Sequence, residues 1–267
     1  MSGSQDQFGH VHSSPSEKTM PRRTSLEICL WPQLHTVNHS CKMSGCDVRD
    51  FGKDGECTMH ARIPAVLFAS VALAASAGEW KELFNGRNLD DWISSTKGPP
   101  SPGWVVENGV LKRADKAGYI WTRERFGDFE LELEYRTEGN SGVFIRTDNP
   151  ADPVQTGIEV QIEKPGEPSR HSVGALYDLV APSRNAAQPG WNRLNIVARG
   201  PRIEVRLNGH LITEMDLDRW TVAGQNPDGS KNKFKKPLKE FAREGHIGFQ
   251  DHGAVVEFRN IRIRTLD

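Results

Sequence analysis

Glu159, Gln161 and Glu163 occupy every second position of GIEVQIE (157–163), separated by Ile158, Val160 and Ile162. Strict alternation of this kind marks a β-strand whose side chains divide between two faces. One face is apolar. The other carries two acids and an amide, which suits either a solvated sheet surface or the floor of a site that grips polar groups. A carboxylate on such a floor can serve as a general base if it is held within reach of a substrate proton. Glu159 is the candidate base.

Other segments bring compatible chemistry. SGVFIRT (141–147) contains Arg146, GALYDL (174–179) supplies Tyr177 and Asp178, and a polar turn, Gln250-Asp251-His252-Gly253, follows the apolar HIGF. His252, held by Asp251, is the candidate acid/base partner; a structural histidine in a turn is the alternative. Arg146, Gln161, Glu163, Tyr177 and Gln250 are candidates for binding substrate or steadying negative charge that develops on it. Asn140 and Asn260 fit equally well as structural caps. A concave sheet with these groups can hydrogen-bond several hydroxyls while aromatic residues lie on a sugar ring, so carbohydrate is the expected partner. Asp251, His252 and Glu159 could also share a divalent metal ion, although their spacing matches no recognisable ligand motif.

The elements that must position these residues are strands. WVVENGVLKR (104–113) and RIEVRLNGHLITEM (202–215) read as hairpins turning at Asn108-Gly109 and Asn208-Gly209. FELELEYRT (129–137) alternates Phe129, Leu131, Leu133 and Tyr135 with Glu130, Glu132, Glu134 and Arg136, and its acidic face reads as plain convex surface. In AVVEFRNIRIRTL (254–266) the alternation changes phase between Phe258 and Ile261, which predicts a β-bulge at Arg259-Asn260. About ten strands at short spacing point to an all-β antiparallel sandwich. The one helical candidate is KPLKEFAREG (236–245). Lys231, Lys233, Lys235 and Lys236 read as a solvated basic loop. NPDGSKN (226–232) lacks the sixth-position glycine and distal glutamate of a calcium loop.

Composition narrows the class. The chain has 267 residues and a formal net charge of −1, without the basic excess of a nucleic-acid binder. All four cysteines (Cys29, Cys41, Cys46, Cys57) precede residue 58, so residues 78–267 can form neither a disulfide framework nor a thiolate zinc site. MHARIPAVLFASVALAASAGEW (59–80) has a short basic start, an apolar core and an Ala75-Ser76-Ala77 cleavage signature. This is a secretory signal segment, too short to span a membrane. The expected organisation is therefore a mis-called or unstructured extension at 1–58, a signal peptide at 59–77 and one domain at 78–267, secreted or periplasmic, with no membrane span in the mature form. Arg22-Arg23 is followed by WPQLHTVNHS rather than an apolar run, so it is not a twin-arginine signal.

An ordered set of segments then resembles the 3-keto-disaccharide hydrolase family: ELFNGRNLDDW (82–92), WVVENGVL (104–111), GYIWT (118–122), DFELELEYR (128–136), NSGVFIR (140–146), GIEVQI (157–162), GALYDLVAP (174–182), PGWNRLNI (189–196), LNG (207–209) and GFQDHGAVVEFRNIRI (248–263). The resemblance implies a concanavalin-like jelly roll, export, and action on glycosides oxidised at C3. A C3 ketone acidifies the C2 proton, so the site needs one base, donors for the enolate oxygen and an acid near the leaving group. GIEVQIE is also similar to the E-x-D-x-E strand of jelly-roll glucanases, but Gln161 holds the middle position. Glu159 and Glu163 would lie about 13 Å apart at strand rise. A non-catalytic carbohydrate-binding domain and an ordinary retaining glycosidase remain the alternatives.

Overall fold

The computed structural model describes residues 78–267. The four cysteines, the expected signal segment at 59–77 and the expected extension at 1–58 lie outside the described residues. In chain order the strands are β1 (Lys81–Glu82), β2 (Trp92–Ser94), β3 (Trp104–Glu107), β4 (Val110–Arg113), β5 (Ile120–Thr122), β6 (Phe129–Thr137), β7 (Ser141–Thr147), β8 (Ile158–Ile162), β9 (Asn192–Arg199), β10 (Arg202–Leu207), β11 (His210–Asp216), β12 (His246–Phe249) and β13 (Val256–Thr265). One sheet runs β11-β10-β9-β6-β13-β4-β3, with β1 also on β13; the other runs β2-β5-β12-β7-β8. Neighbouring strands pair antiparallel, giving the expected sandwich.

Alternation explains why the sheets close on each other. Leu131, Leu133 and Tyr135 of β6, Phe258 and Ile263 of β13, and Val143, Val160 and Phe249 of the smaller sheet share one buried core. An aromatic stack crosses it. Trp92 lies 5.3 Å from Phe249, and Phe249 lies 4.1 Å from Phe258 on the opposing sheet. Such offset pairs stabilise by roughly 0.5–1.5 kcal/mol beyond their buried area.

Local signals read from sequence recur here. Asn108-Gly109 and Asn208-Gly209 all take positive φ, from 50° to 82°, as a two-residue hairpin turn demands. The register of β13 against β6 shifts between Arg259 and Arg262, and Asn260 sits at φ 51°. The expected bulge is therefore present, and Asn260 donates to Glu134 from within it. The helix expected at 236–245 is not formed. Only a 3-10 turn, Leu238–Glu240, occurs there, because Pro237 and Phe241 are extended on either side (ψ 136° and 146°) and Leu238 and Phe241 both turn into the core. Among the described residues the one α-helical turn is instead α1 (Pro153–Thr156). GALYDL also departs from a regular strand. It lies along the edge of β8 through three backbone bonds, Gln161 N–H to Ala175 O, Gly174 N–H to Gln161 O and Tyr177 N–H to Glu159 O, each 2.9 Å.

Candidate active site

Ile158, Val160 and Ile162 of β8 enter the core, which leaves Glu159 and Gln161 on the outer face of the smaller sheet. Register then determines their neighbours. Phe144 lies opposite Glu159, Gly248 opposite Phe144 and Trp121, and Ile93 opposite Trp121. Tyr119 packs on Trp121 and Phe144, with ring centroids 6.0 and 5.6 Å away. A carboxylate thus stands at one end of an aromatic row. Gly248 makes the row possible, since a Cβ there would enter the Trp121 indole.

This face is closed rather than wet: Glu159 is only 6 % exposed and Gln161 1 %. Gly142, opposite Gln161, gives the carboxylate its room, because a Cβ at 142 would fall 2.5 Å from Glu159 Oε1. Lys233 Nζ lies 3.7 Å from Glu159 Oε2 and 4.0 Å from the centre of the Tyr177 ring. Burial lifts the Glu159 carboxyl above its usual range; Lys233, His252 and Gln250 pull it only part of the way back. Burial likewise lowers Lys233 against the attraction of Glu159 and Asp178. Both shifts follow from taking charge out of water. Tyr119 is raised, first by burial and then by Glu159 and Asp251, against a bond from Gln250 that lowers it.

Two amide oxygens complete the floor. Gln250 Nε2 donates to Tyr119 Oη at 3.0 Å, while Gln250 Oε1 and Gln161 Oε1 are buried without a hydrogen-bond partner. Leaving a buried acceptor unpaired costs about 1–3 kcal/mol, and a substrate hydroxyl would supply the missing donor.

Several candidates from the sequence do not join this group. Arg146 turns away from it. An extra residue in β7, where His246 pairs with Thr147 but Gly248 pairs with Phe144, places Arg146 at φ 51° and reverses its side chain. Its guanidinium donates to Gly127 O, Gly200 O and Asp128 Oδ1 at 2.6–2.9 Å, so it ties the two sheets' margins together and has little left for a substrate. Asp251 does not hold His252. Its oxygens accept from the backbone N–H groups of Ala117, Gly118 and Gly253 and pair with Arg113, and so it shapes the turn that carries His252. Glu163 lies beyond the end of β8 and accepts from Lys164 N–H. His252 is exposed, yet near enough to Glu159 to lower its carboxyl. Gln250 and Tyr177 do lie close enough to Glu159 for Gln250 to lower its carboxyl and for Glu159 to add to burial in raising the Tyr177 hydroxyl. Among the described residues no three His, Cys, Asp or Glu side chains converge as metal ligands would.

Two residues of the site were missed. Tyr119 was legible in the alternation of Tyr119 and Trp121 within GYIWT. Lys233 was not, because nothing in its run of lysines separates it from Lys231, Lys235 and Lys236, all of which are exposed. Its position is set by distant partners: Asp178 Oδ2 accepts its backbone N–H at 2.7 Å and Gln155 Nε2 donates to its carbonyl at 3.0 Å.

The family described as the 3-keto-alpha-glucoside-1,2-lyase-like domain matches residues 79–264. A 3-keto-disaccharide hydrolase of Bacteroides thetaiotaomicron is 27 % identical over 242 residues, covering 74 % of this chain and 82 % of the relative. The crystal structure of a candidate glycosyl hydrolase of Parabacteroides distasonis is 34 % identical, with TM-score 0.63 over 70 % of this chain and the whole of that one. A second candidate glycosyl hydrolase from that organism, 24 % identical, has the same fold with TM-score 0.58, over 71 % of this chain and 94 % of its own.

Proposed function

Because the chain belongs to the 3-keto-alpha-glucoside-1,2-lyase-like domain family, we propose that it cleaves 3-keto-glycosides, 3-keto-disaccharides among them, by elimination followed by hydration. Glu159 takes the C2 proton, and the C–H electron pair forms an enolate with its charge on O3. The enolate electrons return to restore the C3 ketone and form a C1=C2 double bond as the C1–oxygen bond breaks. The leaving oxygen receives a proton from His252. Water then adds across C1=C2, hydroxyl to C1 and hydrogen to C2, so the products are a 3-keto sugar and the free aglycone.

The observation that carries this reading is the Glu159 carboxyl, buried at the end of an aromatic row beside Lys233 and raised by that burial above the usual carboxylate range. A two-carboxylate glycosidase mechanism has less to work with. Gln161 is an amide, Asp251 is occupied by backbone donors and Arg113, and Glu163 is engaged by Lys164. Gln161, Gln250 and Tyr177 bind the sugar. The signal segment at 59–77 supports export to the periplasm or medium, with processing after Ala77.

The test is to incubate the protein with a glucoside and with its 3-keto form and to assay sugar release. Release from the keto form alone is expected. Release from the plain glucoside would favour an ordinary glycosidase, and release from neither would leave a carbohydrate-binding domain. N-terminal sequencing of the native protein should begin at Gly78.

A further inference from the structure

We infer that Lys233 is a catalytic residue of this site, whose ammonium meets the enolate oxygen formed when Glu159 removes the C2 proton. This rests on the elimination reading above. The need for such a group follows from the hydrogen-bond inventory. The buried atoms left unpaired on the floor, Gln161 Oε1 and Gln250 Oε1, are acceptors, and an acceptor cannot stabilise an anionic oxygen; the Tyr119 hydroxyl, which accepts from Gln250, can donate but brings no positive charge. These two amides suit substrate hydroxyls, which donate. Charge on O3 requires a donor or a cation, and Lys233 Nζ, 3.7 Å from Glu159 Oε2, is the cation at the base itself.

The pair also has the right electrostatics. Before reaction, the Lys233 charge is balanced by the ionised Glu159. Once the proton has moved, Glu159 is neutral, the substrate oxygen carries the negative charge, and Lys233 is free to pair with it. The cation therefore stabilises the transition state more than the ground state, which is the condition for accelerating the step. Lys233 is also held in place in advance. Its N–H is bonded to Asp178 Oδ2 and its carbonyl to Gln155 Nε2, Gln155 Oε1 accepts from the next loop residue but one, Lys235, and the Tyr177 ring faces its ammonium. A lysine free to wander in solvent would have none of these restraints.

The experiment follows exchange of the C2 hydrogen of a 3-keto-glycoside in deuterated water, together with sugar release, for the wild type, Lys233→Met and Lys233→Arg. Thermal unfolding and binding of a non-oxidised glycoside report on the fold and the site. In Lys233→Met, exchange and release should both fall by about 10²-fold or more, the scale of losing one oxyanion donor, while binding of the inert glycoside is retained. Lys233→Arg keeps the charge and should retain more exchange than the methionine variant. In the wild type, exchange should also be lost as pH rises through the lowered lysine value, a limb that Lys233→Arg lacks. The charged and titratable groups facing Lys233 are Glu159, Asp178 and Tyr177, with His252 acting on Glu159. Wild-type exchange in Lys233→Met, or equal losses in the two variants, would overturn the assignment. If Lys233→Met does not fold, the presence or absence of the alkaline limb in wild type against Lys233→Arg decides. If the wild type neither exchanges nor cleaves a 3-keto-glycoside, the elimination reading itself fails, and that outcome is distinct from failure of Lys233 alone.

Discussion

The outer faces of the two sheets carry the same kind of sequence and do opposite things with it. On β6, Glu130, Glu132 and Glu134 alternate with core residues, and each meets arginine: Arg264 for Glu130, Arg262 and Arg193 for Glu132, Arg259 for Glu134. Burial alone would raise Glu132 and Glu134, but the guanidinium bonds outweigh it and hold both below the usual carboxylate range. On β8, Glu159 sits in the same alternation but under a cover of loops, with one lysine at 3.7 Å, and its carboxyl is raised. Cross-strand arginines at the surface hold a carboxylate ionised and paired; burial with a single, looser cation raises it, as the proposed role of Glu159 requires.

Removing basicity from each face in turn should give the widest separation. Glu159→Gln keeps shape and should cost turnover about 10²-fold or more, the usual contribution of a general base, whereas Glu130→Gln should leave turnover unchanged. Steady-state kinetics on a 3-keto-glycoside decide it, and equal losses would mean that the faces have been assigned to the wrong roles. Gly142→Ala comes next. Its new methyl would meet Glu159 Oε1 and push the carboxylate aside, so kcat should fall roughly 10- to 10²-fold, as a misplacement near 1 Å can produce.

Arg146→Ala should separate stability from chemistry. It strips donors from Gly127 O and Gly200 O and leaves Asp128 without its cation, with only the Gly200 N–H remaining on the carboxylate, at a cost of about 2–4 kcal/mol in urea unfolding. Turnover per folded molecule should hold, and a selective loss of kcat would return Arg146 to the site.

The faces should also respond to pH with opposite sign. Glu159, raised in the folded protein, contributes stability that is complete below the unfolded carboxyl value and lost as pH rises through its folded value. Glu132 and Glu134, lowered, contribute stability that is present above the unfolded value and lost as pH falls. Urea titrations between about pH 3 and pH 7, spanning the carboxylate range, should show Glu159→Gln and Glu132→Gln altering the slope in opposite directions. The acid limb of kcat/KM should lie above the ordinary glutamate range, because the base works only when ionised. The smallest effect belongs to the arginine ladder: Glu130→Gln should change stability by no more than about 1 kcal/mol, as partly exposed ion pairs do.

Period-two alternation by itself determined most of the architecture. Strands β6, β7 and β13, both Asn-Gly hairpins and the Arg259-Asn260 bulge were legible because each is a local property of the chain, carried by side-chain alternation or by residues that tolerate positive φ. Glu159, Gln161 and their strand were legible for the same reason, and the ordered motifs identified the family. Very short strands such as β1 and β2 were not, since two or three residues carry no period. Tertiary structure alone decided which polar face is closed. FELELEYRT and GIEVQIE alternate alike, and only loops from elsewhere in the chain bury the second. It also decided the fate of Arg146, because one extra residue in β7 reverses a side chain without leaving a mark in the residue types. It delivered Lys233 to Glu159 across more than seventy residues, through Asp178 and Gln155, where the pattern around the lysine reads only as solvated loop. Alternation records which way a side chain points from its own strand; what lies over that side chain depends on contacts far along the chain.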